Sequence, residues 1–181
     1  LPAPPPLSPE ARELVAGRRL AVRAATDRSG AWRVTVAAPD RTGLFAAIAG
    51  VLALHRLSVR SAQIRTVDGM AVDEWTVLPG RDHDPRPDAL RLDITRALAG
   101  ELDLTGKLAA REATGRAPTV SPPPPRVQVV EDASATATVV EVRAADRVGL
   151  LHRLGRALAL MGLDVRGARV VTLGAEAVDV F

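Results

Sequence analysis

Asp40-Arg-Thr-Gly-Leu44 recurs 106 residues later as Asp146-Arg-Val-Gly-Leu150, and this repeated pentapeptide decides how the rest of the chain is read. The register runs on without a gap. Leu54, Leu57, Val59, Ala62, Ile64, Thr66, Ala71, Val72 and Asp73 fall on Leu160, Leu163, Val165, Ala168, Val170, Thr172, Ala177, Val178 and Asp179. A chance match of five residues does not extend in this way, so the chain contains one supersecondary unit twice.

Each copy opens on a strand pattern. Trp32, Val34 and Val36 alternate with Arg33 and Thr35, and Thr138, Val140 and Val142 alternate with Val139, Glu141 and Arg143. A helix follows: Leu44, Ile48, Val51, Leu52 and His55 make one stripe, and Leu150, Leu154, Ala157, Leu158 and Met161 repeat it. Asp40 and Asp146 stand where caps of those helices are expected. In the next strand the apolar positions change parity, from 57 and 59 to 62 and 64 and from 163 and 165 to 168 and 170, which predicts a β-bulge in both copies. Asp68-Gly69 predicts a tight hairpin into a third strand over 71–78.

Working outward, Pro79 to Pro87 reads as an exposed loop. It leads into a helix capped by Asp88, with Leu90, Ile94, Ala97 and Leu98 on one face and Gly100 as its stop. A short helix around Thr105 to Arg111 is expected next, then a stiff spacer at Ser121-Pro-Pro-Pro-Pro125 and a closing strand, Val127 to Val130. Ser8-Pro-Glu10 starts a helix over 9–16 ended by Gly17, and Leu20 to Ala25 adds an edge strand through a turn at Asp27-Arg-Ser-Gly30. The order β-α-β-β-α-β makes a ferredoxin-like, α+β module. The second copy is truncated after its third strand. The expected division is 1–19 as linker and short helix, 20–131 as the first module with an extra edge strand and Pro-rich spacer, and 132–181 as an incomplete second module. The chain starts without Met and stops inside the apolar run Ala177-Val-Asp-Val-Phe181, and so reads as a piece of a longer protein.

The repeated turn joins a strand end to a helix start. Its backbone N–H groups and the positive helix end can hold a carboxylate, with Gly43 or Gly149 letting a ligand approach. Physics alone allows a simpler account, in which the glycines permit close packing and the aspartates only cap.

Pro39-Asp-Arg-Thr-Gly-Leu-Phe45, with Leu57 to Ile64 and Asp68-Gly-Met-Ala-Val-Asp73, resembles the ACT domain. The pair resembles the C-terminal regulatory region of the PII signal protein uridylyltransferase/uridylyl-removing enzymes. Residues 20–181 carry the likeness, most strongly over Ser58 to Val77 and Ala145 to Phe181. The resemblance implies modules packed side by side that bind a small amino acid, glutamine in these enzymes, where strand one meets helix one beside a neighbouring module. By position the ligand would meet Asp40, Arg41, Gly43 and Leu44, or Asp146, Arg147, Gly149 and Leu150. The facing strand would offer Ala62, Gln63 and Ile64, or Ala168, Arg169 and Val170. The family often has Pro between the Arg and the Gly, where this chain has Thr42 and Val148. It further implies nucleotidyltransferase and phosphohydrolase domains, with Mg2+, elsewhere in the same parent chain, and PII as partner. Glutamine would favour removal of the nucleotidyl group over its addition. No catalytic residue or cofactor is expected in these 181 residues themselves.

The composition narrows the rivals. With no Cys, thiol catalysis, disulfides and Cys-ligated metals are excluded. No apolar run approaches the ~18 residues of a membrane span, and the opening lacks the features of a signal peptide, so no membrane partner and a cytoplasmic location are expected. Arg accounts for all basic residues but Lys107, yet the net charge is only +3 and the arginines form no stripe, which argues against nucleic acid. An RNA module of the same strand order stacks bases on central-strand aromatics, and aromatics are only 2% here. Asp82, His83 and Asp84 read as a solvated loop rather than a metal site, and His55 as a favourable charge at a helix end. A stand-alone paired regulator without enzyme activity is the other reading of the repeat.

Overall fold

Most strand and helix patterns form where the periodicities put them. In the computed structural model, residues 6–26, 29–115, 124–130, 134, 137–173 and 176–181 are described. The Leu1–Pro5 opening, part of the Asp27–Gly30 turn, most of the Pro-rich spacer and the 131/132 boundary lie outside them. The elements are α1 (Pro9–Ala16), β1 (Ala21–Thr26), β2 (Trp32–Pro39), α2 (Leu44–Leu54), β3 (Leu57–Val67), β4 (Met70–Pro79), α3 (Pro87–Leu98) and α4 (Leu104–Ala113). They continue with β5 (Arg126–Val130), β6 (Val139–Ala145), α5 (Leu150–Leu160), β7 (Gly167–Leu173) and β8 (Glu176–Val180).

All eight strands join one sheet in the order β1-β2-β4-β3-β7-β8-β6-β5, with every neighbouring pair antiparallel. Two ferredoxin-like halves, β1-β2-β4-β3 and β7-β8-β6-β5, therefore sit edge to edge. The seam pairs Ser61 with Arg169, Ala62 with Ala168 and Gln63 with Gly167. Ala62 and Ala168 are repeat equivalents, so the two copies are related by a local two-fold axis through that pair. Helices α2 and α5 cross on the same axis: His152 Nδ1 lies 2.7 Å from the carbonyl oxygen of its own equivalent, Ala46. The crossing is close because glycines line it. A Cβ on Gly155 would come within 2.7 Å of Phe45, and one on Gly50 within 2.7 Å of His152. Phe45 stacks on Trp75 and meets Phe181, the repeat equivalent of Trp75, edge to face.

Several local expectations change. Asp40 and Asp146 do not cap their helices; the N-cap positions belong to Gly43 and Gly149, both left-handed. Asp40 Oδ2 instead accepts a hydrogen bond from Thr66 Oγ1 at 2.9 Å, and the same pair recurs loosely as Thr172 and Asp146 at 3.5 Å. Asp88 lies inside the first turn of α3, which starts at Pro87 with Arg86 as its cap. The bulge is present in β3, between Val59 and Ser61. The second copy has none there, because 163–166 is irregular and β7 begins only at Gly167. Strand β5, expected to close the first copy, pairs with β6 and edges the second. The edge position beside β2 is already taken by β1, leaving β5 the equivalent edge beside β6. Asp68 and Gly69 both adopt positive φ, as a two-residue hairpin requires.

The first copy holds most of the core. Helix α2 is buried from Leu44 to Leu52, and Val34, Val36, Trp75, Val77, Leu90 and Ile94 close around it. On the opposite face of the sheet α1 packs against β2 and β4. Helix α5 buries only His152 and Gly155 and leaves Leu160 and Met161 exposed.

Candidate functional site

The first turn is built so that a helix start sits above a carboxylate. Strand β2 ends at Pro39, the Asp40 amide donates to Gly69 of the β3–β4 hairpin, and Gly43 turns the chain at φ +85° into α2. The first N–H groups of a helix have no intrahelical acceptor, so those of Phe45 and Ala46 are left without a partner within α2 at its positive end. Directly beneath, on the helix side of central strand β4, lies Asp73. Its neighbours across the ladders are Val36 and Ile64, and it is 1% exposed. Its Oδ1 has no hydrogen-bond partner. Burial first, then the charges of Asp40 and Asp164, push its pKa up to about 8.

A cleft of about 330 Å3 opens at this point, at the low end of the sizes that hold small-molecule ligands. Its first wall is the turn Asp40 to Ala46 with Ile64, Ala71 and Asp73. Its second wall comes from the other copy: Gly155 and Ala159 on α5, and the loop Gly162 to Val165. The site is therefore shared between modules. Among the expected residues, Asp40, Arg41, Gly43, Leu44 and Ile64 line this cleft together. Ala62 is buried at the seam against Ala168. Gln63 is exposed, accepts from Arg65, and does not line the cleft. Arg41 reaches away to the carbonyl of Leu98.

The second turn has the same skeleton and a different fate. Asp146, Arg147, Gly149 and Leu150 repeat the strand end and helix start, with Asp179 under them as Asp73 is under the first turn. Asp179 is likewise 1% exposed with an unpartnered Oδ1, and burial and Asp146 push it up to about 6. Here, however, α4 occupies the space. A Cβ on Gly149 would lie 3.0 Å from Leu108, whereas one on Gly43 would meet nothing within 4 Å. Glu112 of α4 pairs with Arg153 at 3.1 Å and lies 3.8 Å from Arg147. Arg111 donates to the carbonyl of Ala53, the repeat equivalent of the cleft residue Ala159. Arg169 and Val170 lie on β7 away from the open cleft.

Sequence reading missed Asp73, Asp164 and the α5 wall. The signal for Asp73 was present, since an ionisable residue recurs at 73 and 179 within apolar strands. The other histidines do local work. His55 Nε2 is 2.8 Å from Asp93 at the end of α2, and His83 contacts the carbonyl of Arg81 in the exposed 81–86 loop. No helix among the described residues is long and apolar enough to cross a membrane.

The comparisons with known proteins agree with the fold. The family model of the ACT domain matches residues 32–92. The chain is 50% identical over 154 residues to the bifunctional uridylyltransferase/uridylyl-removing enzyme of Streptomyces coelicolor, covering 81% of the chain and 18% of that protein. It is 39% identical to the enzyme of that name from Gluconobacter oxydans, over 84% of the chain and 17% of that protein. The enzyme of that name from Mycobacterium tuberculosis is 32% identical over 100% of the chain and 24% of its own length. The chain thus spans less than a quarter of the length of these relatives. No solved structure matches it.

Proposed function

This chain is a tandem of ACT domains related to the bifunctional uridylyltransferase/uridylyl-removing enzymes, and from that premise we propose that it is the amino-acid-sensing part of such an enzyme. Its ligand is a small amino acid, glutamine by the family resemblance, held in the cleft between the first turn and α5. The observation that carries this reading is the cleft itself. It joins a strand end, a helix start and the neighbouring module, and so a ligand in it touches both copies at once. A ligand acts at a distance only through unequal affinity for two arrangements, and a site walled by two modules has that property. In the parent enzyme, occupancy would shift the balance between nucleotidylation and denucleotidylation of PII. The chemistry and its Mg2+ would belong to domains outside these 181 residues.

Calorimetric titration of L-glutamine into the chain, with glycine, serine and glutamate as controls, tests this. Saturable binding selective for glutamine supports the reading. Absence of binding by every amino acid, to a chain that circular dichroism reports as folded, leaves the modules a structural pair.

A further inference from the structure

Two repeat-equivalent carboxyl groups, Asp73 and Asp179, are each 1% exposed with one oxygen unpartnered, and the first lines the cleft between the modules. A buried acceptor without a donor is costly, on the order of 1–3 kcal/mol, and natural structures retain such groups where something else completes them. A donor that completes it has to be small enough to enter, and the acidic surroundings favour a positive one. Asp40 and Asp164 bring two further carboxylates towards Asp73, from the first turn and from the second module's loop. Above this acidic floor stands the positive N-terminal end of α2, which favours an anion. The nearby cation, Arg41, is turned away to Leu98.

We infer that Asp73 is the anchor for the ammonium group of an α-amino acid whose carboxylate meets the start of α2, that the first turn is the site occupied, and that binding expels the Asp73 proton. This rests on the amino-acid-sensing reading and adds the residue, the ligand's orientation and the turn. In the empty protein burial and the two neighbouring carboxylates favour the neutral carboxyl. An incoming R–NH3+ keeps its three protons and hydrogen-bonds the carboxylate, and the carboxyl proton passes to buffer. The groups facing Asp73 are Asp40 on the β2–α2 turn and Asp164 on the α5–β7 loop, and both favour its protonated state until the cation arrives. At the second turn Leu108, Arg111 and Glu112 of α4 take the ligand's space.

The test is titration of L-glutamine into the whole chain at pH 7, in phosphate and in Tris, whose different ionisation enthalpies report protons released. The expected result is one site per chain, release of most of a proton, and an apparent affinity that rises from pH 6 to 7. Glutaramate, the same molecule without its amino group, should not bind. D73N should weaken glutamine at least tenfold and release no proton. Proton release near zero in the unaltered chain, which needs no variant, overturns the inference while amino-acid sensing stands. So does D73N binding glutamine within twofold of the unaltered chain. If no amino acid binds the folded chain, the sensing reading falls and this inference with it.

Discussion

Replacing Asp73 by Asn should flatten the pH dependence of stability at neutral pH. The side chain is 1% exposed, and its carboxyl titrates near 8 in the folded chain against 3.8 ordinarily. A raised folded pKa means that the folded state holds a proton the unfolded state has lost, so stability falls as pH rises from about 4 to 8 and levels above 8. The slope approaches 1.4 kcal/mol per pH unit, so from pH 6.5 to 8 the unaltered chain should lose roughly 2 kcal/mol. Two other buried groups titrate lower. Asp179, near 6, destabilises chiefly between about 4 and 6, and His152, whose pKa burial lowers, acts below 6.5. Above 6.5 both contributions fade, so Asp73 dominates that window. Asn keeps the volume but brings two N–H donors under the turn, and leaving them unmet costs about 1–3 kcal/mol at every pH. The slope is diagnostic and the offset is not. Urea unfolding of both chains at pH 6.5, 7, 7.5 and 8 measures it. Parallel curves would refute the argument that Asp73 is buried as a neutral acid.

At the helix crossing, G155V should drive its side chain into Phe45, whose ring already lies 2.7 Å from the position of a Cβ. A loss of roughly 1–3 kcal/mol and weaker glutamine binding are expected, read by denaturant midpoint and calorimetry. Leu108→Ala should cost about 2–4 kcal/mol, since Leu108 is 3% exposed against Gly149 and its removal leaves a cavity. The unfolding midpoint should fall without a change in m-value. Burial, outweighing its bond to Ala46, lowers the pKa of His152, so stability should fall as pH drops below 6.5. In H152Q that component should vanish from urea curves measured between pH 5 and 6.5.

The duplication was legible because an uninterrupted offset of 106 residues survives in the sequence, and with it the positions of α2, α5, β3 and β4. Caps were misread where a glycine took the role. Asp40 and Asp146 look like caps from the spacing, but left-handed Gly43 and Gly149 turn the chain too sharply for the carboxylates to reach back, and threonines claim them. Strand β5 could not be assigned to its copy from pattern alone, because an alternating apolar strand carries no record of which edge it will join. Half of the cleft was similarly hidden. The residues of the turn repeat and announce themselves, whereas Gly155, Ala159 and Asp164 matter only because the two-fold axis carries α5 over the first turn. Nothing in the α4 sequence says that Leu108 will lie against Gly149.

Filling of the second cleft by α4 has a consequence for the shape of any response. A symmetric pair with two open clefts could bind sigmoidally, the first ligand tightening the second site. With one cleft closed by the chain's own helix, occupancy within a single chain must rise hyperbolically with concentration. If the open cleft takes an amino acid as proposed, the chain would report its level as a graded signal, and any steepness in the output would arise downstream or between chains.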